Sequence, residues 1–504
     1  MMKKKVIALC CAASLALNLT ACGSTNQSAA GTGTDTNTKT AQAVQTAAAE
    51  ISLEGATTLT FSQSAVAALD GDYTGYAIDG TAVEIDGAGT YILTGSCADG
   101  SVTVKKGVTG VTLVLSGLEL TSADTAPITC NKSSQVVIYA AAGTDNVLTD
   151  SAENNDDSYP DNTGAENAVI KCKDGSQVVL CGSGSLTVNA NGKNGIKSGV
   201  STAEEGEASL TIRELTLTIN APVNDAVNAE QLLAIESGTL TIDAGDDALH
   251  SDLALNIGAE GTAGPTITIN SCYEGIEGAT LNIYSGDIEI TASDDCLNAA
   301  NGDLSGYSFS MNISGGTIAA YTTGGDGFDS NGSLTISGGS VTVWSANSAD
   351  NQPLDADGAI TITGGTVLAA GGSSGMGMRL TAEQPCVSFS GRLSKGAAFT
   401  VEGGSGTLYS GTALCDAGFV FFSSPELAAD ESCTLSSGGS TVATAAAQSG
   451  SVQTGMGGMG GMGGQPGQMP GGFEGGQRPE MPGNADGSQR PTPPQGGFQP
   501  GSGQ

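Results

Sequence analysis

Apolar and polar residues alternate along most of the chain in short runs such as SLTIREL, TLTIDAG, TLNIYSGDIEITA, MNISGGTIAAY and LTISGGSVTVW, several of them broken by Ser-Gly or Gly-Gly. Period-two alternation predicts strands with one buried face, and the glycine pairs predict tight turns. Between the runs a seven-residue window recurs: ENAVIKC from Glu166, KNGIKSG from Lys193, NDAVNAE from Asn224, DDALHSD from Asp246, YEGIEGA from Tyr273, DDCLNAA from Asp294, GDGFDSN from Gly325 and NQPLDAD from Asn351. The starts lie 21 to 31 residues apart. Strand, turn, strand and corner at that period predict a coil that closes once per repeat and pairs its backbone with the coils above and below. A sandwich lacks a corner motif in register, and propeller blades run to about forty residues. The expected fold is therefore all-β, a parallel β-helix (solenoid).

The less regular strands of 51–148 read as its first coils, the acidic stretch 150–162 as an inserted loop, and 51–380 as the whole β-helix. From Cys386 the window is lost but alternation continues in FTVEGG and FVFFSS, so 381–448 is expected to be a small C-terminal β cap over the open end. Residues 449–504 are rich in Gly, Met, Pro and Gln and are expected to form a disordered tail; 22–50, poor in bulky apolar residues, reads as a flexible tether.

In stacked coils, equivalent window positions lie about 4.8 Å apart. The second position reads Asn167, Asn194, Asp225, Asp247, Glu274, Asp295, Asp326 and Gln352; the fifth reads Ile170, Lys197, Asn228, His250, Glu277, Asn298, Asp329 and Asp355. The first adds Asn224, Asp246 and Asp294. The fourth is apolar throughout, which points it inward and sends its polar neighbours to the outer side of the corner. Carboxylates about 5 Å apart repel by roughly 3 kcal/mol at an effective dielectric near 20. No lysine lies between Lys197 and Lys395 to offset them. Calcium, which takes six to eight oxygens in flexible geometry, is the expected counter-ion. The candidate ligands are Asp225, Asp246, Asp247, Glu274, Glu277, Asp294, Asp295, Asp326 and Asp329, with cages expected at Asp225–Asp246–Asp247 and at Glu274–Glu277–Asp294–Asp295. The competing reading is a hydrogen-bonded ladder that satisfies turn backbone, the role expected of Asn167, Asn194 and Gln352. The stretch GGDGFDSNG from Gly324 resembles a single calcium-binding nonapeptide repeat.

A formal charge of −35 argues against nucleic acid and anionic lipid as partners and favours cations or ligands bridged by cations. Beyond Cys10, Cys11 and Cys22, nine scattered cysteines without zinc-like spacing read as small buried hydrophobes. At the N-terminus, Lys3–Lys5, an apolar run to Leu17 and Leu19-Thr20-Ala21-Cys22 read as a secretory signal, 1–21. Leu-Thr-Ala-Cys resembles the bacterial lipobox, which implies lipidation at Cys22 and display on the extracellular face of the membrane.

The segments YEGIEGATLNIYSGDIEITASDDCLNAANG, GDGFDSNGSLTISGG and LDADGAITITGGTVLAAGGSSGM occur in that order. With them, most of 57–440 resembles the clostridial carbohydrate-binding domain-containing protein family, whose prototype binds cellulose and polygalacturonate. The resemblance implies a right-handed parallel β-helix with bound calcium, similar in shape to pectate lyases. Cys296 stands where that family usually has glycine, and the basic residue common at the fifth position survives here only as Lys197. The expected function is noncatalytic, calcium-dependent binding of a plant cell-wall or other acidic polysaccharide such as pectin by a monomeric protein. Asn228, His250, Asn298, Lys197 and Tyr273 are the candidate ligand contacts, and His250 is expected to be an exposed member of the column. Aromatic content of only 4% weighs against neutral sugars, which need stacking platforms. Two alternatives stay open: a calcium-dependent lyase, for which the sequence offers no obvious base, and a structural adhesin.

Overall fold

The computed structural model describes residues 51–69, 75–200, 210–346, 351–372 and 378–453. The expected signal sequence, Cys22, the tether and tail residues 454–504 lie outside the described residues. All regular elements described are strands. Among the described residues, no helix is long and apolar enough to cross a membrane.

Most strands belong to one large mixed sheet in which parallel pairing dominates and most strands pair with strands one repeat away. One ladder runs through Ala168–Cys172, Asn194–Ser198, Val227–Ala229, Leu249–Ile257, Ile276–Ile283, Leu297–Ala299 and Phe328–Ser330, all parallel. A second runs through Ser185–Asn189, Thr216–Ala221, Thr239–Ala244, Thr266–Ser271, Asp287–Ala292, Thr317–Thr322, Ser340–Ser345 and Thr366–Gly371. A third passes through Gln177–Cys181, Leu210–Ile212 and Leu232–Ile235 into the far ends of Leu249–Ile257 and Ile276–Ile283. It continues through Ser310–Ile313 and Ser333–Ile336 to Ile360–Ile362.

The alternation read in the sequence is what the ladders use. In Thr239–Ala244, Leu240 and Ile242 are buried while Thr239 and Thr241 face outwards. The fourth window position forms an unbroken core stack, with Val227, Leu249, Ile276, Leu297, Phe328 and Leu354 all fully buried. Each such side chain stabilises by about 1.5–3 kcal/mol on leaving water. The turns stack too. Gly316, Gly339 and Gly365 each precede a strand of the second ladder at φ near +80°, where an L side chain is strained. A Cβ on Gly339 would also strike the carbonyl oxygen of Gly316, 2.6 Å away.

The C-terminal end closes differently. Strand Ala417–Ser423 lies antiparallel to both Thr366–Gly371 and Arg379–Leu393, so the last parallel strand is paired rather than open. A separate four-stranded antiparallel sheet, built from 398–446, packs on a second core that includes Trp344, Phe389, Phe399 and Phe422. Strand Arg379–Leu393 crosses the expected start of the cap at 381, and Gln448–Gln453 pairs with it, so residues 449–453 are strand and not tail. All nine described cysteines are buried and free.

Candidate cation site in the acidic column

The backbone fixes the column. Each second-position carbonyl from Asp225 to Gln352 accepts the third-position amide of the preceding coil: Gly195 to Asp225, Ala226 to Asp247, Ala248 to Glu274, Gly275 to Asp295, Cys296 to Asp326 and Gly327 to Gln352. The fifth position is equally continuous, with Lys197, Asn228, His250, Glu277, Asn298 and Asp329 as successive ladder partners.

The first window is out of step. Ile170 pairs with Ile196 and Lys171 with Lys197, so the fifth-position residue there is Lys171, not Ile170, and Ala168 rather than Asn167 stands opposite Asn194. Asn167 adopts φ 59°, a left-handed turn that asparagine tolerates and that shifts the frame by one residue. Lys197 is therefore not the sole basic residue of the fifth position.

Of the second-position acids, Asp225, Asp247 and Glu274 are buried rather than turned to the outer side of the corner, and Asp295 and Asp326 are half-buried. Asp225 is 4%, Asp247 3% and Glu274 9% exposed. The same oxygens that the sequence offers to a cation also brace the backbone: Asp225 Oδ1 accepts the amide of Asp247 at 3.2 Å, Asp295 Oδ1 that of Asp326 at 2.6 Å, and Asp326 Oδ1 that of Gln352. This ladder uses one oxygen of each carboxylate. Asn194 and Asn167 keep to the hydrogen-bonding role expected of them, Asn194 Nδ2 donating to the Asn167 carbonyl and Asn167 Nδ2 to Asp156.

Among the described residues, three groups of side chains converge with ligand atoms within 4.8 Å of one another: Asp225, Asp246 and Asp247; Asp247, His250 and Glu277; and Asp326, Asp329 and Asp355. The first is the cage expected from the sequence. The set Glu274, Glu277, Asp294 and Asp295 does not converge in this way. Glu277 turns to His250, Glu274 accepts Asn298 Nδ2 at 2.9 Å, and Asp295 accepts the Asp326 amide. Tyr273, 41% exposed, stands between Asp246 and Asp294 along the first-position ladder.

His250 is not exposed. Its Nδ1 lies 3.0 Å from Asp247 Oδ2 and 2.9 Å from Glu277 Oε2, and its Nε2 lies 2.8 Å from Asp252 Oδ1. Burial works against its charged form, but hydrogen bonds to Asp247, Asp252 and Glu277 carry its pKa up to about 12. The ring is thus an imidazolium at neutral pH, and it supplies part of the counter-charge that lysine does not. Burial, then the neighbouring Asp247, pushes Asp225 up to about 6. Burial raises Asp247 to about 7 against its bond to His250, Asp326 to about 7 and Asp295 to about 8 against their backbone bonds. Upstream, burial and then Lys197 lower the pKa of Lys171, while Lys197 Nζ lies 3.9 Å from Glu230.

Three buried oxygens of the column have no hydrogen-bond partner among the described residues: Asp247 Oδ1, Asn298 Oδ1 and Gln352 Oε1. The Asn298 amide is oriented by Nδ2, which donates to Glu274, so its oxygen is left facing elsewhere. Gln352 was expected to be satisfied as a ladder residue; its backbone is bonded, the amide to Asp326 and the carbonyl to Gly327, but its side-chain Oε1 is not. Buried orphan acceptors are costly, about 1–3 kcal/mol each, and call for a cation or donor. An all-oxygen set of carboxylates and amides suits calcium. Asp355, Asp252 and Lys171 are members that the sequence reading did not single out as site residues. Asp355 was visible in the window pattern, whereas Lys171 was hidden by the one-residue frame shift.

A carbohydrate-binding domain-containing protein of Acetivibrio thermocellus is 37% identical over 123 residues, covering 24% of this chain and 42% of the relative's length. The solved structure of a polysaccharide lyase-like protein from C. thermocellum, a gadolinium derivative, aligns with 65% of this chain and 96% of its own at 24% identity. Its TM-score of 0.30 is too low to carry a structural argument. The model of the carbohydrate-binding domain-containing protein family matches residues 79–375, more than half of the chain and all of the acidic column, and the protein belongs to that family.

Proposed function

We propose that this protein is a noncatalytic, calcium-dependent binder of acidic polysaccharide of the polygalacturonate class, held at the bacterial surface by lipid on Cys22. We further infer that its three ladders are the walls of a right-handed parallel β-helix. The observation that carries the reading is that Asp225, Asp246 and Asp247, and Asp326, Asp329 and Asp355, converge in a column where buried oxygens of Asp247 and Gln352 have no hydrogen-bond partner among the described residues. Asp225, Asp246 and Asp247 would hold one calcium ion, and Asp326, Asp329 and Asp355 a second. Calcium supplies open coordination positions that a uronate carboxylate can fill, which joins an acidic protein to an acidic polymer. Tyr273 offers an exposed ring beside Asp246 and Asp294, where a sugar face can stack.

A lyase is the second reading, favoured by Lys171. It is a half-buried lysine of lowered pKa, paired with Lys197 in the basic end of the fifth-position ladder, and has the character expected of a general base. Affinity electrophoresis separates the readings from each other and from an adhesin. The binder is retarded in gels containing polygalacturonate, only with calcium and with the polymer left intact. Unsaturated uronide absorbance after incubation would establish the lyase instead, and unaltered mobility in both polygalacturonate and neutral glucan gels would reject both.

A further inference from the structure

The all-oxygen groups suit calcium, but the third convergence contains an imidazole nitrogen, and calcium takes oxygen ligands. We propose that Asp247, His250 and Glu277 form a separate site for a borderline divalent transition-metal ion of the Zn2+ class, with Asp252 as the positioning residue for the imidazole. The parallel ladder places the nitrogen and the glutamate side by side, because His250 and Glu277 are backbone partners in adjacent coils. Asp247 reaches the same point from three residues earlier. Histidine nitrogen and carboxylate oxygen are ordinary zinc ligands, at about 2.0–2.2 Å. Ligands around such an ion stand about 3.4 Å apart in a tetrahedral site, so the present 2.9 and 3.0 Å separations need to open by only about half an ångström.

Two further observations point to a ligand. Asp247 is 3% exposed, so the carboxylate that turns Oδ2 to His250 is held out of water. At Nε2, Asp252 accepts a hydrogen bond at 2.8 Å, the carboxylate–histidine arrangement that fixes tautomer and ring angle around bound metals. The charge also favours exchange. Three carboxylates around one imidazolium leave two negative charges, with Asp225 and Asp246 adding more on the other side of Asp247. On loading, Nδ1 gives its proton to solvent and the divalent ion takes that place between Oδ2 and Oε2, which lowers the net negative charge by one unit.

The site shares Asp247 with a group assigned above to calcium, so the test is run with excess Ca2+ present. The full chain is stripped of metal, re-equilibrated with Ca2+, and titrated with Zn2+ by calorimetry and with Co2+ by visible absorption. One equivalent of Zn2+ is expected, with Co2+ bands typical of nitrogen ligation. His250→Gln should remove those bands and weaken Zn2+ at least 100-fold while leaving calcium stoichiometry unchanged, and Asp252→Asn should weaken Zn2+ by about 10- to 100-fold. If His250→Gln does not fold by circular dichroism, Glu277→Gln carries the same expectation for affinity. Absence of saturable Zn2+ binding, or an unchanged affinity and spectrum in the folded variant, would overturn the site. Failure of calcium binding in the same samples would count against the calcium reading alone.

Discussion

His250 Nδ1 and Glu277 Oε2 stand 2.9 Å apart because their backbones are ladder partners in adjacent coils, so an imidazolium is built into the middle of an acidic column. Removing it leaves Asp247, Asp252 and Glu277 without their shared counter-charge. Breaking a buried ion pair from one side costs about 3–5 kcal/mol. His250→Gln is expected to lower the urea midpoint most sharply in chelator at pH 5 and by less at pH 8, because the stability that His250 supplies is complete below 6.5 and is lost as pH rises towards its folded pKa of about 12. Equal destabilisation at both pH values would show that the imidazole acts by packing and not by charge.

The raised carboxylates set the pH dependence of the metal-free protein. Asp225, Asp247, Asp326 and Asp295 have folded pKa values of about 6, 7, 7 and 8, above the 3.8 of the free side chain. Between about pH 4 and pH 8 the folded state therefore binds more protons than the unfolded chain, and stability falls as pH rises through that window. His250, raised to about 12, acts in the same direction above its ordinary value of 6.5. Melting temperature in chelator should decline from pH 5 to pH 8, and excess calcium should flatten the decline. A rise with pH in chelator would contradict the burial of these acids.

Gly325 has no room for a side chain: a Cβ there would fall within clash distance of the carboxylate oxygens of Asp294 and Asp295. Gly325→Ala should displace both carboxylates, release the Asp326 amide that Asp295 Oδ1 holds, and weaken the calcium-induced rise in melting temperature more than it lowers the melting temperature in chelator. The paired thermal scans decide this, and an unchanged calcium increment would show that this bond does not position Asp326 for a cation.

The nine described cysteines are buried and free, and burial raises the thiol pKa of Cys272, Cys296, Cys386 and Cys415. Titration with a thiol reagent should find none of the nine reactive in native protein and all nine in denaturant. Fewer in denaturant would reveal a disulfide.

The strands and the core were legible because period-two alternation and the fourth-position apolar residue are local signals, and Val227 through Leu354 obey both. The column from Lys197 to Asp329 was legible for the same reason: once Val227 and Leu249 are in register, Asn228 and His250 must be as well. What stayed hidden depended on backbone angles or side-chain direction. One residue at positive φ, Asn167, moved Lys171 into the ladder. The burial of Asp225 and Asp247 could not be read from alternation, since these residues sit at corners between strands. Nor could the sequence tell which way Glu277 would turn, towards Asp294 and Asp295 or back to His250, because either neighbour lies one coil away.

The most direct test measures the affinity of oligogalacturonate for the full chain by calorimetry at increasing free calcium. The account predicts tight binding that strengthens with calcium, disappears in chelator and falls at least tenfold in the double variant Asp225→Asn, Asp326→Asn. Equal affinity in calcium and chelator, or an unaffected double variant, would contradict it.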